Sequence, residues 1–188
     1  MKTYKDIDGW FDYEDFFDEI VAKAPQHFSV VVEMGCWLGR SSAYLAQRIK
    51  ESGKYIEYHA VDTWKGSVGD SAFSDVLAAN NGDVYDLFIK NMVDCGVMNY
   101  INPLRMDSVE ASKCFADNSV DFLFLDGAHD YDSVKRDLAA WIPKVKKGGI
   151  MAGHDFGHPP VKQAVLEALP NARDYVGATS HQTWIVNL

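Results

Sequence analysis

Short apolar runs, each cut off by a glycine or an aspartate and followed by an amphipathic stretch, recur along the sequence. That alternation leaves few folds open. Residues 28–33 are β-branched and nearly continuous, as in a strand covered on both faces. The run breaks at Gly35 and Gly39, and residues 41–49 follow with Ala43, Tyr44, Ala46 and Ile49 at helical spacing. Residues 55–61 read as a second strand closing on Asp62; residues 100–104 read as a third, closing on Met106, Asp107 and Ser108. A helix over residues 84–95 stands between them. The strongest strand covers residues 120–125 and stops at Asp126 and Gly127. A helix over 133–144 follows, with Val134, Leu138 and Trp141 on one face and Lys144, Lys146 and Lys147 near its C-terminus, where cations suit the dipole. Gly148 and Gly149 reset the chain for a fifth strand over 150–154. Pro159 and Pro160 suit the first turn of a helix running to Leu169, and residues 173–176 and 183–186 are short strand candidates.

This order predicts an α/β fold, a Rossmann-like three-layer sandwich with a mostly parallel sheet and helices on both faces. Ligands of such sheets bind outside the carboxyl ends of the strands. The polar residues of interest all fall at those ends. At 188 residues, 47% hydrophobic, the chain fits one domain over 1–188 and can bury its own core. Residues 1–27, with Trp10, Phe11, Phe16, Phe17, Ile20 and Val21, predict an amphipathic helical extension packed on that core. Residues 64–81 turn polar, with Gly66 and Gly69, and predict an active-site loop or lid with a helical piece.

Charge and cysteine content narrow the class. A formal charge of −9 opposes a phosphate-binding surface, so no nucleic-acid partner is expected. Cys36, Cys95 and Cys114 form no CxxC pair, which favours a reducing, cytoplasmic setting over a disulfide or zinc framework. No signal-peptide-like apolar stretch opens the sequence, and no run approaches the roughly 20 apolar residues of a membrane span.

The first strand ends in Glu33, Met34, Gly35, Cys36, Trp37, Leu38, Gly39, Arg40, Ser41 and Ser42. A glycine turn between strand and helix lets a ligand approach the backbone. Trp37 stands where a dinucleotide fold needs its second glycine for the pyrophosphate. A cofactor without phosphates, S-adenosylmethionine, tolerates that side chain. Glu33 suits the ammonium or sulfonium of the same cofactor. Asp62, followed by Thr63, can accept from both ribose hydroxyls, although nicotinamide enzymes place an acid similarly. Asp107 and Ser108 either reach the adenine edge or cap the helix that follows them. Ser41 and Asp126 complete the candidate cofactor set.

These segments resemble a family when taken together. Val32 to Gly35 with Gly39 to Ser42, Val61 to Gly66, Phe124 to His129 with Tyr131, Gly148-Gly149, and His154 to Phe156 are similar to class I methyltransferases that include metal-dependent sugar O-methyltransferases of the macrocin and mycinose-pathway type. The likeness runs over residues 28–165. It implies a seven-stranded sheet with an antiparallel last strand, S-adenosyl-L-methionine as cofactor, Mg²⁺ or Mn²⁺, and a small-molecule acceptor, with a sugar hydroxyl as the family's lean. It implies Asp126 and Asp155 as metal carboxylates and His129 as general base. At His154 the mycinose enzymes carry another acidic ligand. The chain is also much shorter than those enzymes, so their substrate and oligomeric state do not transfer.

Simple chemistry agrees with the implied roles. Asp126 and Asp155 close neighbouring strands, which lie about 4.8 Å apart in a sheet, so their carboxylates can share one ion. His129 lies one helical turn past Asp126 if a helix starts there, within reach of a substrate hydroxyl. The alternative reading of Asp126 and Asp130 is as caps of the helix that begins near Tyr131. The rival readings are a metal-free N-methyltransferase, a cofactor-binding module without turnover, and a nicotinamide-dependent oxidoreductase.

Overall fold

The computed structural model describes residues 2–66 and 74–188. Its sheet has seven strands in the order β3-β2-β1-β4-β5-β7-β6, where β1 is Ser29–Met34, β2 Ile56–Asp62, β3 Asn102–Arg105, β4 Val120–Leu125, β5 Val145–Gly153, β6 Arg173–Asp174 and β7 Trp184–Asn187. Strands β1 to β5 run parallel, and β7 is antiparallel to both β5 and β6. Every residue of β1 is buried, as its near-continuous apolar run requires. The short β3 lies at the sheet edge, where Pro103 is tolerated.

Helices cover the sheet on both faces. On one side α1 (Glu14–Lys23), α2 (Arg40–Ser52) and α4 (Tyr85–Asp94) bury Phe16, Phe17, Leu45, Ile49, Phe88 and Met92 against Val31, Phe122 and Phe124. The short α3 (Ser74–Ala79) leans Val76 and Leu77 on the same cluster. On the other side α5 (Ser108–Ser112), α6 (Tyr131–Trp141) and α7 (Pro159–Ala168) bury Ala111, Leu138, Trp141 and Val165 against Val32, Leu123 and Trp184. Among the described residues no helix is long and apolar enough to cross a membrane.

Three local expectations are corrected. Gly148 and Gly149 do not precede the fifth strand but lie inside β5, beside a register irregularity opposite β4. A strand that tolerates such a bulge need not be broken by glycine. Lys146 and Lys147 accordingly sit in β5 and not on a helix end; Lys146 pairs with Asp121 at 2.8 Å and Lys144 with Asp117 at 2.6 Å. Trp10 and Phe11 precede α1 instead of belonging to it, and Trp10 stays 66% exposed. The centre of the expected lid, residues 67–73, lies outside the described residues. At its near end Trp64 is fully buried, its indole donating to the Trp37 carbonyl at 2.8 Å.

The N-terminal segment is tied down at several points. Arg40 donates to the carbonyls of Ile7 and Gly9 at 3.4 and 3.1 Å. Tyr175 donates to Glu19 at 2.6 Å. The Asp15 carboxylate accepts from the Ala178 amide, the Thr179 amide and hydroxyl, and the Ser180 hydroxyl, which fastens the start of α1 to the β6–β7 connection. Burial alone would raise the Asp15 carboxyl, but these donors lower it to about 2. A depressed carboxylate contributes stability above its unfolded value, and that stability is lost as pH falls through its folded value. Asp15→Asn is therefore expected to lower the melting temperature near neutral pH. The gap to wild type should close on acidification from about pH 4 to pH 2. Melts of both proteins across that range test this, and a gap that ignores pH would refute it.

Candidate active site

The carboxyl ends of β1, β2 and β4 are laced together by backbone bonds. Gly35 donates to the Val61 carbonyl at 3.0 Å and Asp126 to the Met34 carbonyl at 2.9 Å. Gly35 has a φ of +83°, and a Cβ there would fall 1.9 Å from the Asp126 carbonyl oxygen. Only glycine lets the loop after β1 lie against the loop after β4. Gly39, at φ +89°, does the same for α4, since a Cβ would meet Met92 and Phe88 at 2.4 and 2.8 Å.

A cavity of about 1180 Å³ opens over these ends. Gly35, Trp37, Ser41, Asp62, Thr63, Asp107, Ser108, Asp126, His129, His154 and Asp155 all line it. Two expected residues do not: Glu33 and Gly39 are not part of its wall. Strand alternation points Glu33 the same way as Val31, toward α2, where Ser42 donates to it at 2.6 Å and the Tyr58 hydroxyl also donates. The carboxyl is fully buried there, and burial raises its pKa. Glu33 is thus buried beneath the loop, bonded to Ser42 and Tyr58, and does not line the cavity.

Asp62 braces the loop from the other side. One carboxylate oxygen accepts from the amides of Cys36 and Trp37 at 2.8 and 2.9 Å, and the other accepts from Trp64 at 2.7 Å. Burial pushes the Asp62 carboxyl above its ordinary value against the pull of these amides. The loop amides that would cradle a diphosphate thus face a carboxylate, and Trp37, in the left-handed region at φ +47°, fills the glycine position. This wall suits a nucleoside with hydroxyls to offer and no phosphate. Asp107 caps α5 through the Val109 amide at 2.9 Å, as one of its two readings expects, and it also lines the cavity. The Ser108 hydroxyl donates to Asp137, a buried acid on α6.

Beside the Gly35 loop, on the wall of the same cavity, acids and imidazoles gather. Ligand atoms of Asp126, His154 and Asp155 all lie within 4.8 Å of one another. His129 Nε2 is 3.0 Å from Asp155. No helical turn links Asp126 to His129, because α6 starts only at Tyr131 with Asp130 as its cap. The irregular stretch between them makes the approach. Asp155 sits at φ +60°, a left-handed conformation that Asp tolerates better than most residues.

The electrostatics follow from this crowding. Burial pushes the Asp126 carboxyl up to about 6 against the pull of His154, with Asp155 adding to the rise. Burial alone would lower the His154 imidazole, yet Asp155, Asp126 and Asp12 around it raise it to about 9. Hydrogen bonds from His129 and His154 hold Asp155 well below the usual carboxylate range despite its burial.

Several wall residues gave no signal in the sequence. Asp12, Tyr13 and Trp10 reach the cavity from the N-terminal segment, Arg40 from α2, Arg136 and Asp137 from α6, and His158 and Gln182 from the loops after β5 and before β7. Tyr13 donates to Asp126 at 2.7 Å across the full length between them. No local pattern reports such a contact.

The strand order, glycine loop and strand-end acids are those of a class I S-adenosylmethionine-dependent methyltransferase. The chain belongs to the methyltransferase-domain family, whose match covers residues 32–156. It is 31% identical over 130 residues to the uncharacterized protein y4gI of Sinorhizobium fredii (strain NBRC 101917 / NGR234), a match over 66% of this chain that spans only 13% of the length of that relative. Its fold is similar to that of the O-methyltransferase NovP, with a TM-score of 0.68 and 17% identity over 94% of this chain and 79% of that one. It is similar as well to CalS11, a TDP-rhamnose 3'-O-methyltransferase of calicheamicin biosynthesis, with a TM-score of 0.61 and 18% identity over 93% of this chain and 76% of that one.

Proposed function

We propose that the protein transfers a methyl group from S-adenosylmethionine to a hydroxyl oxygen of a small molecule, with a sugar as the leading acceptor class. A divalent ion, Mg²⁺ or Mn²⁺, is held by Asp126, His154 and Asp155. The observation that carries this reading is the convergence of those three side chains within 4.8 Å in the cavity that the glycine loop also lines. The donor set fits: two carboxylates and an imidazole suit Mn²⁺ and, with water, Mg²⁺. The O-methyltransferase relatives by fold favour oxygen as the acceptor atom. When bound, the cofactor supplies an electrophilic methyl group and the ion supplies a Lewis acid for the acceptor hydroxyl.

The chain's own residues do the rest. Asp62 retains lone pairs for ribose hydroxyls beyond its backbone bonds, and Trp37, Thr63, Asp107 and Ser108 form the nucleoside wall. Asp155 holds His129 through Nε2, so the other ring nitrogen is the one that takes the acceptor's proton. Placing the acceptor oxygen in line with the methyl group is the further contribution of the cavity.

Calorimetry with S-adenosylhomocysteine and with NAD tests the cofactor half: binding of the first and none of the second is expected. Radiolabelled methyl transfer to a panel of free sugars, nucleotide-linked sugars and amines, with and without EDTA, tests the acceptor half. Label found only on amines, undiminished by EDTA, would replace this reading with metal-free N-methylation.

A further inference from the structure

We propose that Asp12 and Tyr13, adjacent residues on the segment leading into α1, are positioning residues that brace two of the three cation ligands. The inference rests on the metal reading above and adds residues that touch no ion themselves. An imidazole can ligate a cation only if one nitrogen presents its lone pair and the other donates its proton elsewhere. Metal-bound histidines usually donate that second N–H to a carboxylate or carbonyl, which fixes ring and tautomer. His154 is set in that geometry. Its Nε2 lies 3.0 Å from Asp12, while Nδ1 faces Asp155 at 3.4 Å and Asp126 at 3.9 Å.

Tyr13 treats Asp126 the same way. Its hydroxyl donates to Oδ2 at 2.7 Å, which leaves Oδ1 as the oxygen turned toward His154. The Tyr13 ring also packs on the His154 ring with centroids 5.2 Å apart. The brace is itself anchored. Tyr13 is fully buried against Phe124, and the next turn is held by Asp15 on the β6–β7 connection. The N-terminal segment thus belongs to the site as its rear wall.

Mn²⁺ binding, read from the electron paramagnetic resonance signal of the free ion, tests the proposal on the full chain without any acceptor. Asp12→Ala is expected to weaken Mn²⁺ binding about 10–100-fold, the usual consequence of losing an outer-sphere partner. Asp12→Asn keeps an acceptor oxygen for Nε2 and should lose markedly less. Tyr13→Phe should weaken binding as well. Calorimetry should find S-adenosylhomocysteine affinity within a few-fold of wild type in all three, which separates local effects from misfolding. Electron spin-echo modulation should show an imidazole nitrogen on Mn²⁺ in wild type and a weakened coupling in Asp12→Ala. Unchanged Mn²⁺ affinity and coupling in Asp12→Ala would overturn this inference while leaving the metal reading intact. Wild-type protein that binds no Mn²⁺ would overturn both.

Discussion

Asp155→Asn is expected to lose divalent-ion binding beyond the roughly 10–100-fold that outer-sphere changes produce, and methyl transfer with it. The side chain has two tasks. Its carboxylate faces His154 at 3.4 Å within the ligand cluster and accepts from His129 at 3.0 Å. Asparagine preserves shape and tolerates the left-handed backbone at φ +60°, so the loss should fall on charge and not on folding. S-adenosylhomocysteine affinity should stay within a few-fold, because the proposed nucleoside contacts, Asp62, Thr63, Asp107 and Ser108, lie at other strand ends. Mn²⁺ titration and a thermal melt on the same preparation measure both. Wild-type turnover in the variant, or in wild-type protein dialysed against EDTA, would show that no ion is needed.

His129→Ala should lower turnover about 10²–10⁴-fold with the ion still bound, as removal of a general base does. His129 lines the cavity and lies 3.0 Å from Asp155, and it is not one of the three converging ligand residues, so its truncation leaves Asp126, His154 and Asp155 in place to hold an ion. The assay is methyl transfer to the best acceptor found in the panel, run beside Mn²⁺ titration. A fall in Mn²⁺ affinity matching the fall in turnover would make His129 a support of the ion instead of a base. Unchanged turnover would remove it from the chemistry.

The two variants probe different depths of sequence information. Asp126 and His129 stand out because they follow the most apolar strand in the chain, where a polar cluster has no packing purpose. Asp155 follows the next strand by the same logic. Gly35 and Gly39 stand out as breaks between strand and helix, and the structure gives each a steric reason. Glu33 lies off the cavity wall for a reason just as physical. Its place in the loop motif suggests a ligand contact, but the period of a strand turns it toward α2 and the Ser42 and Tyr58 hydroxyls.

By itself the sequence determined the alternation of buried strands and amphipathic helices, the parallel sheet this forces, and the set of acids and glycines that must fall at its carboxyl edge. Those are properties of period and composition, which act over a few neighbouring residues. Only the tertiary structure decided that Asp62 spends lone pairs on the loop amides, and that α6 starts too late to carry His129. It alone decided that Asp12 and Tyr13 arrive behind His154 and Asp126. The Asp12 and Tyr13 contacts join residues 142 and 113 positions apart, and their geometry is set by how whole elements pack. No local period encodes them.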